Sequence, residues 1–400
     1  MARENRNYLS GKEVKAIAKA NAKEIKRLEA YKNRKAAESE FLTQMHDPNN
    51  ILEIEDLHTF FYTEQGVVKA VNGVSYDVPK NAVVGVVGES GCGKSVTSMS
   101  VMRLIQGPAG QIVDGSIRFK AFDYKRDAKG NPVQEADGTY CMEEKVYDIA
   151  KMPIREIHRI RGKQIAMIFQ EPMTSLNPVF TIGEQLDEVT FIHIPGATKE
   201  MAKAKSEEML RLVGIIPENV YGAFPHELSG GMRQRVMIAM ALAAEPRLII
   251  ADEPTTALDV TIQAQILDLL QDIKNKIDGS ILLITHDLGV IAEMADYVVV
   301  MYAGKVIEKG TVYEIFQDPR HPYTIGLQKS KPTMGLDDST ELYNIPGNVP
   351  NPINMPQHCY FKERCAKCSA KCSGPYPGMV QVSPTHFVAC HLYDEENGNG

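Results

Sequence analysis

Four short apolar runs stop abruptly at polar residues: Val83-Val84-Gly85-Val86-Val87, Ile165-Ala166-Met167-Ile168-Phe169, Leu248-Ile249-Ile250-Ala251 and Ile281-Leu282-Leu283-Ile284. Continuous, β-branched runs of this length predict strands buried on both faces of a parallel sheet. Ahead of the first run, Leu52, Ile54, Leu57, Phe60 and Phe61, followed by Gly66, predict a strand and a turn. A second strand is expected over about Val67–Val78, with Pro79-Lys80-Asn81 turning into Val83. Ile112 to Phe122 reads as another strand, and polar Asp127 to Tyr140, with its glycines and Pro132, as a surface hairpin or loop. Met152 to Arg161 has a helical pattern. Two helical stretches fill Thr181 to Ile215, separated by Pro195-Gly196, and an apolar helix ends at Pro246. Strands alternating with helices predict an α/β architecture, here with an antiparallel β portion before it and a helical subdomain inside it.

The first stretch, to about Asn50, has a different pattern. Lys, Arg and Glu run throughout, and only Val14, Ile17, Ile25 and Leu28 mark a thin apolar stripe. This predicts one or two exposed helices. One reading is a basic amphipathic helix touching anionic lipid or a partner. The other is a solvated, partly disordered extension, which the narrowness of the stripe favours.

Composition changes this picture little. Apolar and charged content are ordinary for a globular chain, and the net charge of −7 argues against a nucleic-acid binder. No apolar run approaches the roughly 18 residues that span a bilayer, and the N-terminus lacks the apolar core of a signal peptide. The expectation is a cytoplasmic protein that meets membranes only through a partner.

Candidate chemistry sits where the apolar runs end. Gly88-Glu89-Ser90-Gly91-Cys92-Gly93-Lys94-Ser95 follows the first run and has the form of a phosphate-binding P-loop. Its glycines let backbone N–H groups turn toward phosphate oxygens at a helix N-terminus. Lys94 is expected to reach the β- and γ-phosphates, and the Ser95 hydroxyl to bind Mg²⁺. Phe61 or Tyr62, upstream, is a candidate to stack on an adenine ring. Gln170 ends the second run and is placed to contact Mg²⁺ or the attacking water. Asp252 and Glu253 end the third. Two carboxylates after a wholly apolar run are expensive without a metal or a water to serve. Asp252 is expected to hold Mg²⁺ through water and Glu253 to polarise the attacking water. His286 follows the fourth run after Thr285.

Leu228-Ser229-Gly230-Gly231, followed by Met232-Arg233-Gln234-Arg235, resembles the signature of ABC-type ATPases. Ser229 can cap a helix, and the glycines leave N–H groups open to an anion. The resemblance implies that Asp252-Glu253 is a Walker B pair, that Ala257-Leu258-Asp259 is a D-loop at a dimer contact, and that His286 is the switch histidine at the γ-phosphate. Phe169-Gln170-Glu171-Pro172-Met173-Thr174-Ser175-Leu176-Asn177-Pro178 and His321-Pro322-Tyr323-Thr324 narrow it to the ATP-binding subunits of oligopeptide and dipeptide importers. It covers about Ile51 to Leu392. The implied fold is a P-loop ABC ATPase cassette over 51–315, with a helical subdomain at about 172–245 and an importer-type extension at 316–400.

The implied setting is two ATPase subunits, two membrane permeases and an extracytoplasmic binding protein. The chain then sits at the cytoplasmic face of the membrane. Each ATP is held between the P-loop of one subunit and Ser229-Gly230-Gly231 of the other. Met173 and Met232 are similar to one of the two paired subunits of these systems, which favours a heterodimer. Nickel and other small-solute importers share this kind of subunit. A soluble ABC ATPase fits less well, since one P-loop and one signature are present without a long heptad run. A non-catalytic nucleotide sensor is expected to lose Glu253 or His286, and both are present.

Five of the seven cysteines fall after Gln357. Such clustering in a cytoplasmic chain favours metal over disulfides. Cys359, Cys365, Cys372 and Cys390 resemble the C-terminal pattern of the peptide-importer ATPases, some of which hold a [4Fe–4S] cluster there. Four thiolates also suit tetrahedral zinc, and free structural thiols are the third reading. Cys368 is the odd one, able to replace Cys372 as a ligand. The expected role is structural, tying the tail to the ATPase body.

Overall fold

The computed structural model describes residues 9–125, 127, 133–135, 140–194, 196–256, 259–277, 279–330 and 343–394. Pro195, Ala257, Leu258 and parts of the 127–140 stretch, all singled out above, lie outside the described residues.

The described chain opens with α1 (Gly11–Lys32). A hairpin, β1 (Asn50–Thr63) and β2 (Gly66–Pro79), leads to β3 (Val83–Val87) and α2 (Lys94–Val101). A second antiparallel pair, β4 (Gly110–Tyr124) and β5 (Met142–Asp148), precedes β6 (Ile165–Ile168). Helices follow: α3 (Pro172–Ser175), α4 (Ile182–His193), α5 (Lys199–Leu212), α6 (Pro217–Val220) and α7 (Gly230–Leu242). The alternation then resumes with β7 (Leu248–Asp252), α8 (Val260–Ile277), β8 (Ser280–Ile284), α9 (Leu288–Met294) and β9 (Tyr297–Tyr302). β10 (Lys305–Thr311), α10 (Val312–Gln317), α11 (Pro322–Lys329), β11 (Val380–Gln381) and β12 (Phe387–Val388) complete the chain order.

Two sheets stack. The larger runs β11-β12-β10-β9-β3-β8-β7-β6, with β9, β3, β8, β7 and β6 parallel. The smaller is antiparallel, β2-β1-β4-β5. The apolar runs explain the stacking. Val83, Val87, Ile249, Ala251, Ile281 and Leu283 face the helices, whereas Val84, Val86, Leu248, Ile250, Leu282 and Ile284 face the antiparallel sheet. Strand alternation thus puts apolar side chains on both faces, and each buried Val, Leu or Ile contributes about 1.5–3 kcal/mol over an exposed one.

Two expectations need correction. Residues 9–49 are neither free nor wholly exposed. A Ser10–Glu13 capping box starts α1, Leu28 is buried, the Asn21 amide donates to Thr63 O at 2.9 Å, and Gln111 donates to Glu29 at 2.6 Å. Phe41 is buried against Tyr147, and Glu38 accepts from Lys145 and the Tyr147 hydroxyl. The folded body therefore begins before Ile51, because single well-placed residues dock a stretch whose periodicity is weak. The second correction is Met152–Arg161, expected as a helix and observed as a 3₁₀ helix over Ile154–Arg159; β5 is a strand for which there was no expectation.

The C-terminal extension has no separate core. Tyr360 and Phe361 join the helix-side core of the large sheet, and β12 extends that sheet by pairing with β10. The His386 ring donates from Nε2 to the Glu308 carboxylate at 2.8 Å, both buried.

Candidate functional site

The P-loop follows β3 because a parallel strand ends there and α2 starts within it. Two of its glycines are required by space and backbone. Gly88 and Gly93 have φ of 156° and 101°, and a Cβ would come within 2.2 Å of Met301 O and 2.4 Å of Ala70 O respectively. Lys94 is buried, and its ammonium donates to Gly88 O at 2.7 Å and Glu89 O at 3.2 Å. The loop thus curls around its own lysine. Cys92 packs inward into the core, and burial raises its thiol pKa.

Ser95 donates to Asp252 Oδ1 at 2.9 Å, so the hydroxyl and carboxylate expected to share Mg²⁺ already meet. Asp252 is buried at the end of β7, and its pKa is pushed up to about 6. Desolvation is the main cause, opposed by the Ser95 hydrogen bond and supported by the charge on Glu253.

Glu253 adopts a left-handed backbone, φ 49°, which a non-glycine residue holds only when its surroundings fix it. Its N–H donates to Ile284 O at 2.8 Å, tying it to β8. Its carboxylate accepts from Gln170 Nε2 at 3.0 Å and from the Thr256 hydroxyl at 2.8 Å, and lies 3.3 Å from His286 Nδ1. Residues from the ends of β6, β7 and β8 therefore converge on one carboxylate. A cavity of about 530 Å³ holds this group opposite the P-loop, lined by Ser90, Gly91, Gly93, Lys94, Ser95, Gln170, Glu253 and His286 with Ala70, Val96 and Thr256. Thr256 escaped the sequence reading, although its place three residues after Glu253 on the same turn was a usable signal.

Other candidates stand elsewhere. Phe61 and Tyr62 do not line this cavity: the Phe61 ring packs at Gly110, and the Tyr62 N–H donates to Ala109 O at 2.9 Å. Ser229 caps α7, accepting from Met232 N at 3.3 Å, and Gly230 has open space around it. Neither they nor Gly231 and Asp259 line the cavity; Asp259 accepts from Ile262 N at 2.9 Å at the start of α8. The Glu89 side chain turns away to Arg364, a partner the sequence did not indicate.

Cys359, Cys365, Cys372 and Cys390 line one small cavity with His321, Phe361 and His391, and Cys368 lies outside it. Burial, then the neighbouring thiols, pushes the pKa of Cys359 and of Cys390 up to about 11. Among the described residues no group of three or more His, Cys, Asp or Glu is drawn tightly enough to hold a metal ion as the side chains stand. No described helix is long and apolar enough to cross a membrane.

A parallel sheet with a P-loop, a Ser–Asp pair at its foot and a Gln–Glu–His group facing it defines an ATP-binding cassette ATPase. The family description "ABC transporter" matches residues 71–256, and "Oligopeptide/dipeptide transporter, C-terminal region" matches residues 307–372. The oligopeptide transport ATP-binding protein OppD of Bacillus subtilis is 48% identical over 343 residues, 86% of this chain and 88% of that protein. AppD, an oligopeptide transport ATP-binding protein of the same organism, is 45% identical over 87% of this chain and 98% of its own length. Its dipeptide transport ATP-binding protein DppD is 45% identical over 86% and 95%. A dimeric ATP-binding cassette solved with ADP and Pi in a post-hydrolysis state shares the fold, with TM-score 0.53 and 22% identity over 65% of this chain and 98% of that one. The chain belongs to the family of oligopeptide and dipeptide transport ATP-binding proteins.

Proposed function

We propose that this ATPase powers import of di- or oligopeptides, working with two permeases and fed by an extracytoplasmic binding protein. The observation that carries hydrolysis is the convergence of Gln170, Glu253 and His286 on one cavity with Lys94 and Ser95. Lys94 neutralises phosphate charge, Ser95 and Asp252 hold Mg²⁺, Glu253 orients the attacking water, and His286 and Gln170 meet the γ-phosphate and the metal. One of Phe61 and Tyr62, which lie outside the cavity lining, stacks on the adenine ring. Ser229, Gly230, Gly231 and Asp259 act on the ATP of a second ATPase subunit, with a heterodimer favoured by Met173 and Met232. Peptide cargo is supported by the names of the relatives and by the C-terminal match.

An apolar groove of about 300 Å³ beside Gln170, lined by Met102, Leu104, Phe169, Leu176, Met237 and Met240, supports permease docking at the cytoplasmic face of the membrane. Deleting the gene should abolish uptake of a labelled, hydrolysis-resistant tripeptide, and the wild-type copy but not Lys94→Ala should restore it. Unchanged peptide uptake with lost nickel uptake would transfer the role to a nickel importer.

We also propose that Cys359, Cys365, Cys372 and Cys390 hold an iron–sulfur cluster, because four thiols share one cavity and thiolate is the ligand that cluster takes. Its role there is to tie the extension to the ATPase body. Anaerobically purified protein should be brown with about four irons per chain. Colourless protein with one zinc would replace the cluster by a zinc site, and metal-free protein would end both readings.

A further inference from the structure

The C-terminal extension reaches into the P-loop. Arg364 lies between Cys359 and Cys365 and its side chain is only 5% exposed. Its guanidinium grips the Glu89 carboxylate in a fork: Nη1 to Oε2 at 2.7 Å and Nη2 to Oε1 at 3.0 Å. The remaining donors go to Tyr302 OH at 3.3 Å, Ile345 O at 3.4 Å and Pro346 O at 2.9 Å. All five N–H groups of the fork thus have a partner, the condition for a buried guanidinium to be favourable. The hydrogen bonds that Arg364 donates to Glu89, and the further bond to Tyr302, raise the Arg364 pKa, so it stays charged. Tyr302, Tyr323 and Phe361 pack ring to ring beside it, with centroids 4.8–5.5 Å apart.

Glu89 is held at every polar group. Its N–H donates to Tyr323 OH at 2.8 Å, its carbonyl accepts from Lys94, and its carboxylate takes the Arg364 fork. These holds differ in one respect. Lys94 must leave the carbonyl to reach a phosphate, whereas Arg364 and Tyr323 are anchored in the extension and its aromatic cluster. A Gly-rich loop that loses its own lysine needs an external brace to keep its N–H groups facing a ligand.

We propose that Arg364, with Tyr323, is a positioning residue for the P-loop: the C-terminal extension sets ATP affinity by holding Glu89 from outside the nucleotide cavity. The inference rests on ATP binding at Lys94 and Ser95, and makes no use of a metal in the extension. Arg364 touches neither the cavity nor Glu253, so the effect falls on binding rather than on the chemical step.

The test measures ATP Kd, KM and kcat of the intact transporter complex carrying Arg364→Gln, Arg364→Lys, Glu89→Gln and the Arg364→Gln/Glu89→Gln pair. Both glutamine singles should raise KM and Kd for MgATP about tenfold with kcat within about twofold, since a lost charged hydrogen bond of this kind is worth a factor of that order. The double variant should be no worse than the worse single, and Arg364→Lys should recover part of the loss by restoring charge without the fork. Glu89→Gln changes no residue of the extension, and thermal unfolding of the same variants separates positioning from misfolding of the tail. Unchanged KM in Glu89→Gln, strictly additive losses in the double variant, or a fall in kcat at constant KM would each overturn the assignment. Failure of all variants and of wild type to bind ATP would instead sink the reading of the nucleotide site itself.

Discussion

Glu253→Gln is expected to bind MgATP and hydrolyse it at least about a hundredfold more slowly than wild type. The amide keeps the volume of the side chain and an acceptor for the Thr256 hydroxyl, so the turn at φ 49° has no steric reason to change. The amide cannot take a proton from water or orient it as a carboxylate does. Binding should survive because Lys94, Ser95 and Asp252 are untouched. Removing the charge on Glu253 also removes one of the influences that raise the Asp252 pKa. Asp252 therefore ionises at lower pH and meets Mg²⁺ more readily. Single-turnover hydrolysis alongside ATP retention by the purified complex reads both halves. Normal turnover would remove the role given to Glu253.

The parts of this site that announced themselves in the sequence are those with two coincident signals. Asp252, Glu253 and His286 end an apolar run or follow one within a turn, Lys94 and Ser95 close the P-loop that follows another, and in a parallel sheet such positions gather at one edge. Register does the rest: Asp252 pairs with Ile284 across β7 and β8, which brings Glu253 beside His286. Where only one signal existed, the reading fell short. β5 is Met-Glu-Glu-Lys-Val-Tyr-Asp, poor in β-formers, and owes its form to pairing with β4, to the Thr43 N–H donating to Val146 O and to the Asp148 N–H donating to Phe41 O. The α1 helix docks through Leu28 and a few polar contacts instead of a broad stripe. Arg364 was illegible for a different reason. Its partner lies 275 residues away, and nothing local in an Arg before a Cys tells which carboxylate it will find.

Ser229→Arg is expected to leave ATP binding by the isolated chain unchanged and to abolish hydrolysis at each site whose ATP Ser229 faces, so that turnover by the assembled ATPase pair falls at least about twofold in a heterodimer and about a hundredfold in a homodimer. Ser229 caps α7 away from this chain's own Lys94 cavity, and a Cβ placed on Gly230 beside it would meet open space. The N–H groups of Gly230 and Gly231 start a 13-residue helix, with open space at Gly230, and suit an anion brought by another subunit. An arginine there removes a cap worth about 1 kcal/mol, too little to unfold the helix, and fills the space a partner's phosphate would take. The isolated chain should accordingly be a poor ATPase whose activity rises with concentration or with its partner. Full turnover in a strictly monomeric preparation would refute action in trans. Mixing Lys94→Ala chains with Ser229→Arg chains then decides the pairing. In a homodimer one of the two sites would combine an intact P-loop with an intact Ser229, and activity would return. In a heterodimer with a different ATPase subunit, mixing restores nothing. Recovery of activity would replace the heterodimer with a pair of identical chains, since only that pairing joins the two intact halves.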